Sequence, residues 1–399
     1  MPQENIENLI RSWNNQQGGN NGPVVQDKLS PEAYGRILTL FNHTWREEVL
    51  GDTFDWGTQS YSVYLPESLY VISSIYLRIE IPANSGGAVY KNCPGIYALR
   101  SVRLMSGGTE VYTADQNLFL HDYLESLSEE ALRVFSRAYL GGEATPTDGA
   151  RVVMIPILLP NSSYMGRAGG THGHGIFPAF LGQSRLELQL SMNDGQNLST
   201  AAGQAPTSIK TKCSIMYHQV EMTEAARKSY SDLRGNYSIV NRRFTELTSG
   251  WQQYTSANSV AHYNQFQPQG TVTEVLFIAC AQDADDTRHT AAYILPTSIT
   301  VTVDAVVVKS LDTPEKVQAE LWQNGFTPNA SFPSPGRMCF AAHAAGSDHL
   351  YSGGYNMRLA STVDFAFTFK ENVSYRIVAS QIQRVTIDAV GKLSASLTS

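Results

Sequence analysis

The sequence predicts an all-β protein built as two β-sandwiches in tandem, and three observations carry that expectation. A chain of 399 residues exceeds one ordinary domain, and at about 150 residues per domain two generous sandwiches are the natural division. Only 16% of residues are charged, low for a soluble enzyme, whereas 20 Tyr and 31 Gly suit strands and turns. The order strand, strand, helix, strand, strand also occurs twice along the chain.

The chain opens with a polar segment in which Ile6, Leu9, Ile10 and Trp13 recur at helical spacing ahead of the Gly/Asn/Gln-rich stretch 16–22. Two readings stand side by side: a docking helix on a flexible arm, or a stripe that caps the protein's own core. Residues 1–50 are assigned to this arm and lead-in, 51–235 to the first sandwich and 236–399 to the second with its tail.

Strands are expected at 61–65 and 75–81, where apolar and polar residues alternate, and again at 97–105. Gly107 and Gly108 supply a tight turn into Thr109–Tyr112, because glycine takes the positive φ that other residues resist. An amphipathic helix follows over about 115–140, with Leu118, Tyr123, Leu127, Phe135 and Tyr139 on one face and Gly141-Gly142 ending it. Strands resume at 152–159, 186–190 and 214–220 around the glycine-rich loop 166–175, and a short helical stretch at 223–233 leads into the second half.

That half repeats the pattern with strands at 272–279 and 298–308, a helix at 314–322, then strands at 337–342, 363–369 and 375–387 before a polar tail at 394–399. Asp312-Thr313-Pro314-Glu315 is a helix start: a side-chain oxygen caps free N–H groups, and proline is favoured in the first turn.

The net charge of -7 excludes wholesale neutralisation of a phosphate backbone, so direct genome packaging and sequence-specific nucleic-acid binding are not expected. Cys93, Cys213, Cys280 and Cys339 are widely spaced and read as buried free thiols rather than a disulfide framework. The first residues lack a signal peptide's basic start and apolar core, and no run approaches the ~18 apolar residues of a membrane span. Synthesis in a host cytoplasm is the expectation.

Catalytic and metal chemistry find little purchase. His172 and His174 lie in the glycine loop without a third ligand at local spacing. Asp283, Asp285 and Asp286 lack the glycine and terminal glutamate of a calcium loop. His343, Asp348 and His349 have no nucleophile elbow to serve, and the loop 166–175 has no Gly-Lys-Ser/Thr ending. Arg227, Lys228, Arg234, Arg242 and Arg243 cluster at the junction of the halves and read as a solvated face. No enzyme activity, cofactor or metal is expected.

Several segments resemble the double jelly-roll major capsid proteins of icosahedral DNA viruses, a family spanning membrane-containing phages, adenovirus-like particles and large eukaryotic DNA viruses. In the first half these are Ile96–Leu104 with the Gly107-Gly108 turn and the helix after it, then Val153–Pro160 and Ile176–Phe180. In the second, Ser352–Ser361 is similar to the family's Ser-Gly-x-x-Asn-x-Ser signature, and Ile382–Ile387 with Gly391 is similar to its closing strand and glycine.

The resemblance implies two tandem jelly rolls with short helices in their connections. Three copies would form a pseudo-hexagonal capsomer that tiles an icosahedral shell in the virion. Implied partners are the chain itself as a homotrimer, neighbouring capsomers, an inner viral membrane, and minor capsid or penton proteins. On this reading Ile6, Leu9, Ile10 and Trp13 anchor the subunit to neighbours or to the membrane. The alternative from another class is a carbohydrate- or receptor-binding β-sandwich, a spike or lectin-like module with exposed Tyr and Trp for stacking sugars. A β-sandwich glycosidase ranks below it, because no carboxylate pair stands out.

Overall fold

The computed structural model describes residues 42–51, 54–55, 60–65, 70–83, 89–91, 93–115, 129–142, 149–157, 185–193, 198–199, 208–209, 213–221, 237–264, 269–281, 293–323, 335–340 and 354–397. The first half contains β1 (Asn42–Gly51), β2 (Phe54–Asp55), β3 (Ser60–Tyr64), β4 (Tyr70–Ile81), β5 (Leu99–Ser106), β6 (Thr109–Asp115), α1 (Glu129–Tyr139), β7 (Arg151–Ile157), β8 (Leu186–Met192), β9 (Ser208–Ile209) and β10 (Cys213–Glu221). Two antiparallel four-stranded sheets form, in the orders β1-β10-β4-β7 and β3-β8-β5-β6, while β2 pairs with β9. Setting aside the short β2 and β9, the eight strands alternate between sheets as a jelly roll does, the last pairing between the first and third.

The second half repeats the plan with β11 (Tyr237–Glu246), β12 (Gln252–Tyr254), β13 (Ala261–Tyr263), β14 (Thr271–Ala281), β15 (Ser298–Val303), β16 (Val306–Leu311), α2 (Pro314–Gln323), β17 (Gly336–Cys339), β18 (Tyr355–Asn356), β19 (Val363–Thr368), β20 (Val373–Ile387) and β21 (Leu393–Leu397). One sheet has the order β11-β20-β14-β17, with β12 and β21 also on β20 and β18 on β14; the other has the order β13-β19-β15-β16. In each half the helix sits in the same connection, α1 between β6 and β7 and α2 between β16 and β17.

Period-two alternation builds both cores. Ile75, Leu77, Ile79 and Ile81 of β4 meet Leu186, Leu188 and Leu190 of β8 in the first. Phe277 of β14 meets Phe365 and Phe367 of β19 in the second, with ring centroids 6.3 and 5.5 Å apart. Each such side chain contributes about 1.5–3 kcal/mol on burial. β14 is buried on both faces: Val275, Phe277 and Ala279 enter its own roll's core, while Leu276 and Ile278 join the core of the first roll with Phe244, Val378, Val385, Ile387 and Leu393. Its nearly unbroken apolar run is what a strand covered on both sides requires. The two rolls are therefore fused along an apolar seam, where β6 runs against β11 and β21.

The Gly107-Gly108 turn closes the β5–β6 hairpin with φ of 55° and 79°. Elsewhere the elements depart from expectation. The segment at 97–105 begins instead as a short 3-10 turn, Pro94–Tyr97, before β5. β6 extends through Asp115, which pairs with Ser101, and the helix expected over about 115–140 is described at Glu129–Tyr139, residues 116–128 lying outside the described residues.

The single strand expected at 298–308 is a hairpin. Asp304 and Ala305 adopt φ of 48° and 64° at its turn, a two-residue corner made without the glycine or asparagine that usually marks one. The polar tail pairs with β20 as β21, Ser394 opposite Thr386 with their hydroxyls 2.9 Å apart. β1, which falls in the segment read as arm and lead-in, pairs with β10 along its length.

Candidate assembly surfaces

Ile6, Leu9, Ile10 and Trp13 lie outside the described residues, as do the loop 166–175 with His172 and His174, the aspartates 283, 285 and 286, His343, Asp348 and His349, and Arg227, Lys228 and Arg234. Among the described residues no group of three or more His, Cys, Asp or Glu side chains is placed to hold a metal. His262 and Asp364 do meet across β13 and β19, Nδ1 to Oδ2 at 2.9 Å, but His262 is exposed, Asp364 half-buried, and the two stand as a diagonal cross-strand pair.

All four cysteines are buried and unbridged. Burial pushes the Cys93 thiol up to about 11 despite a hydrogen bond with Ser136 and the charge of Arg151, and pushes Cys213 up to about 12. Thiols held so firmly in the neutral form are packing groups rather than nucleophiles.

The described part of the Ser352–Ser361 signature is a structural clamp. Gly354 has φ of 153°, and a Cβ there would stand 2.7 Å from Thr271 Cγ2 and 2.8 Å from the Val272 carbonyl oxygen. The Asn356 side chain accepts a hydrogen bond from the Arg358 N–H at 3.0 Å. Met357 is buried in the core and donates its N–H to the Gly270 carbonyl, and Ala360 closes a turn back onto Met357. Asp304, at the β15–β16 corner, then accepts the N–H groups of Ser361 and Thr362 at 2.8 and 2.9 Å. Pinned on both sides, this turn holds Leu359 outward, 86% exposed.

α2 is anchored with equal care. Thr313 Oγ1 accepts from the Lys316 N–H at 3.3 Å, so the expected cap forms. On its inner face Val317 and Leu321 are fully buried. Glu320 accepts the Cys339 N–H at 2.8 Å, and Lys309 of β16 bridges the same carboxylate and the Cys339 carbonyl at 2.5 and 2.6 Å. These side chains satisfy the backbone N–H and carbonyl of Cys339 at the end of β17, the outermost strand on that side of its sheet among the described residues, where an open edge would invite indiscriminate pairing. The far side of the helix presents Trp322, 74% exposed, and Val306 and Val307 of the adjoining hairpin are exposed as well.

In the first roll an aromatic ladder crosses the outer face of the β1-β10-β4-β7 sheet. Phe135 and Tyr139 of α1 stack at 4.9 Å, Tyr139 lies 5.8 Å from Tyr76 of β4, and Tyr76 lies 6.0 Å from Trp45 of β1. Trp45 and Val49 remain exposed on an edge strand, as do Val134 of α1 and Val152 of β7. Anchored helices and clamped turns that project large apolar groups into solvent have the form of contact surfaces. Sequence reasoning did not single out Trp45, Trp322 or Leu359; each sits in an element whose role becomes visible only once its neighbours are placed.

No family model matches the sequence, and no curated protein matches it. Solved structures do. VP54 of PBCV-1, as fitted into a reconstruction of the virophage Sputnik, superposes with a TM-score of 0.64 over 90% of this chain and 97% of its own, at 13% identity. The Faustovirus major capsid protein superposes at 0.56 over 96% and 98%, with 9% identity. The mavirus major capsid protein does so at 0.54 over 89% and 90%, with 10% identity. The chain thus carries the double jelly roll, the fold of these capsid proteins, essentially end to end.

Proposed function

We propose that this chain is a viral major capsid protein with a structural rather than enzymatic role, which forms trimeric, pseudo-hexagonal capsomers that tile an icosahedral shell. The observation that carries the reading is the pair of rolls, each with its helix in the same connection, matched over nearly the full length of capsid proteins from Faustovirus and mavirus. The exposed Trp45, Trp322 and Leu359 support it, because a subunit that tiles needs apolar surface left over for its neighbours. Residues 51–235 and 236–399 would form the two rolls, with 1–50 contributing β1 to the first and an arm ahead of it.

Native mass spectrometry and electron microscopy of the purified protein test this: trimers of hexagonal outline support it, and monomers with affinity for glycans overturn it. The N-terminal stripe Ile6, Leu9, Ile10 and Trp13 is assigned to anchoring the subunit on neighbouring capsomers or an inner membrane. Deleting residues 1–22 should then leave the trimer intact and lower particle yield, and normal yield would overturn that assignment. Synthesis in the host cytoplasm and contacts with penton or minor capsid proteins belong to the same proposal.

A further inference from the structure

The seam between the rolls encloses a cleft of about 200 Å³ lined by Arg100, Ser101 and Arg103 of β5, Thr113 of β6, Phe244 and Glu246 of β11, and Arg376 and Val378 of β20. Strand register brings these groups together. Arg103 stands opposite Thr113 across the β5–β6 hairpin, and Glu246 stands opposite Val378 across β11–β20. Phe244 and Val378 belong to the shared apolar core, so the cleft has a dry floor beneath a polar wall.

Three guanidinium groups line this wall against one carboxylate, in a chain whose net charge is -7. The three are held differently. Arg376, its side chain 13% exposed, places Nη1 4.0 Å from Glu246 and its guanidinium carbon 5.6 Å from the centre of the Trp251 ring, which orients the side chain toward the cleft wall. Arg103 Nε stands 3.7 Å from Glu110, with 58% of the Arg103 side chain exposed. Arg100 makes no ion pair among the described residues. The exposed Arg103–Glu110 pair at such a distance is worth about 0–1 kcal/mol and yields readily to a better acceptor. Guanidinium forks match oxyanions in pairs of parallel hydrogen bonds, and the Ser101 and Thr113 hydroxyls add neutral donors.

We infer that the inter-roll cleft binds a small oxyanion of the phosphate class, gripped by Arg100 and Arg103 from the first roll and by Arg376 from the second. Such a ligand ties the rolls together, and because it binds only the assembled seam it raises the stability of the two-roll unit. Two sources share this chemistry: free inorganic phosphate or pyrophosphate, and the terminal phosphate of a nucleotide. The site is local, so it stands beside the absence of any overall basic field rather than against it.

Calorimetric titration and thermal melting of the full-length protein, at fixed ionic strength set with sodium chloride, test the inference. Phosphate, pyrophosphate and dAMP are the probes. Saturable binding with a rise in Tm is expected, weakened about tenfold or more in Arg103→Gln and again in Arg376→Gln. Arg137→Gln, on the exposed face of α1, should bind as the parent does. Should Arg376→Gln fail to fold, Arg100→Gln with Arg103→Gln alters only exposed side chains and carries the same expectation. Tighter binding of dAMP than of phosphate assigns the site to a nucleotide, and equal or weaker binding assigns it to the free anion. A Tm rise of equal size in the Arg100/Arg103 double variant, or no saturable binding by any of the three probes, overturns the inference.

Discussion

Arg337 of β17 directs Nη1 to both carboxylate oxygens of Glu274 on β14, at 3.4 Å each, and the two side chains are only 1% exposed. Two charges withdrawn so far from water lose several kcal/mol of hydration apiece, which their attraction repays only while both are present. Arg337→Met or Glu274→Gln alone should therefore cost about 3–5 kcal/mol of unfolding free energy. Replacing both with apolar residues of similar volume should cost distinctly less. Denaturant melts of the three variants measure the difference, and a loss in the double variant equal to the sum of the two single losses would show that the pair does not act as a unit.

Gly354 offers a sharper steric test. Its φ of 153° and the 2.7 Å approach to Thr271 Cγ2 leave no room for a methyl group. Gly354→Ala should destabilise the second roll by about 1–3 kcal/mol through displacement of β18 from β14. Ser249→Ala, at an exposed bend of the same roll, is the control and should melt within about 0.5 kcal/mol of the parent. Hydrogen exchange at Met357, whose N–H is held by Gly270, should speed up in the glycine variant and not in the control.

Much of this fold is legible because its strands obey simple periods. β8 alternates leucine with polar residues, and β14 is apolar nearly throughout, so one reads as half-buried and the other as covered on both sides. β1 escaped because Asn42–Gly51 is rich in charge and owes its place to pairing with β10 rather than to a buried face. The hairpin at Asp304-Ala305 escaped because its left-handed turn has neither glycine nor asparagine. Glu274 and Arg337 were illegible for a deeper reason: a charged residue in an alternating strand reads as facing water, and nothing local says that a partner waits on another strand. The clamp around Leu359 was visible as a motif, but its purpose depends on Asp304, more than fifty residues earlier.

The thiols give a pH dependence with a definite sign. Cys93 and Cys213 ordinarily titrate near 9.0, and burial raises them to about 11 and about 12 in the folded chain. Between those values the native state holds protons that the unfolded chain has released, so stability falls as pH rises. It is fully present below about pH 9 and is lost progressively toward pH 11–12; Tyr112, also raised by complete burial, works in the same direction. Melting temperatures taken from pH 7 to 11 should show this decline, and Cys213→Ala should shallow it. At pH 8 iodoacetamide should label none of the four cysteines in the native protein and all four in denaturant.

If the chain assembles as proposed, its exposed apolar groups should matter to the particle and not to the subunit. Trp322 stands on the outward side of a helix whose inward side is filled by Val317 and Leu321, and Leu359 rides a turn clamped by Asp304. Neither side chain supports the core, so Trp322→Gln and Leu359→Gln should each change subunit stability by no more than about 0.5 kcal/mol. Buried at an interface, an aromatic or aliphatic anchor of this size commonly accounts for about 2 kcal/mol or more of association. In a shell the same contact recurs in every copy, so even one such loss per subunit lowers particle yield steeply. Sedimentation of assembled material beside thermal melts of the subunit separates the two effects: unchanged melts with reduced particles are expected, and unchanged particles would remove both residues from the assembly surface.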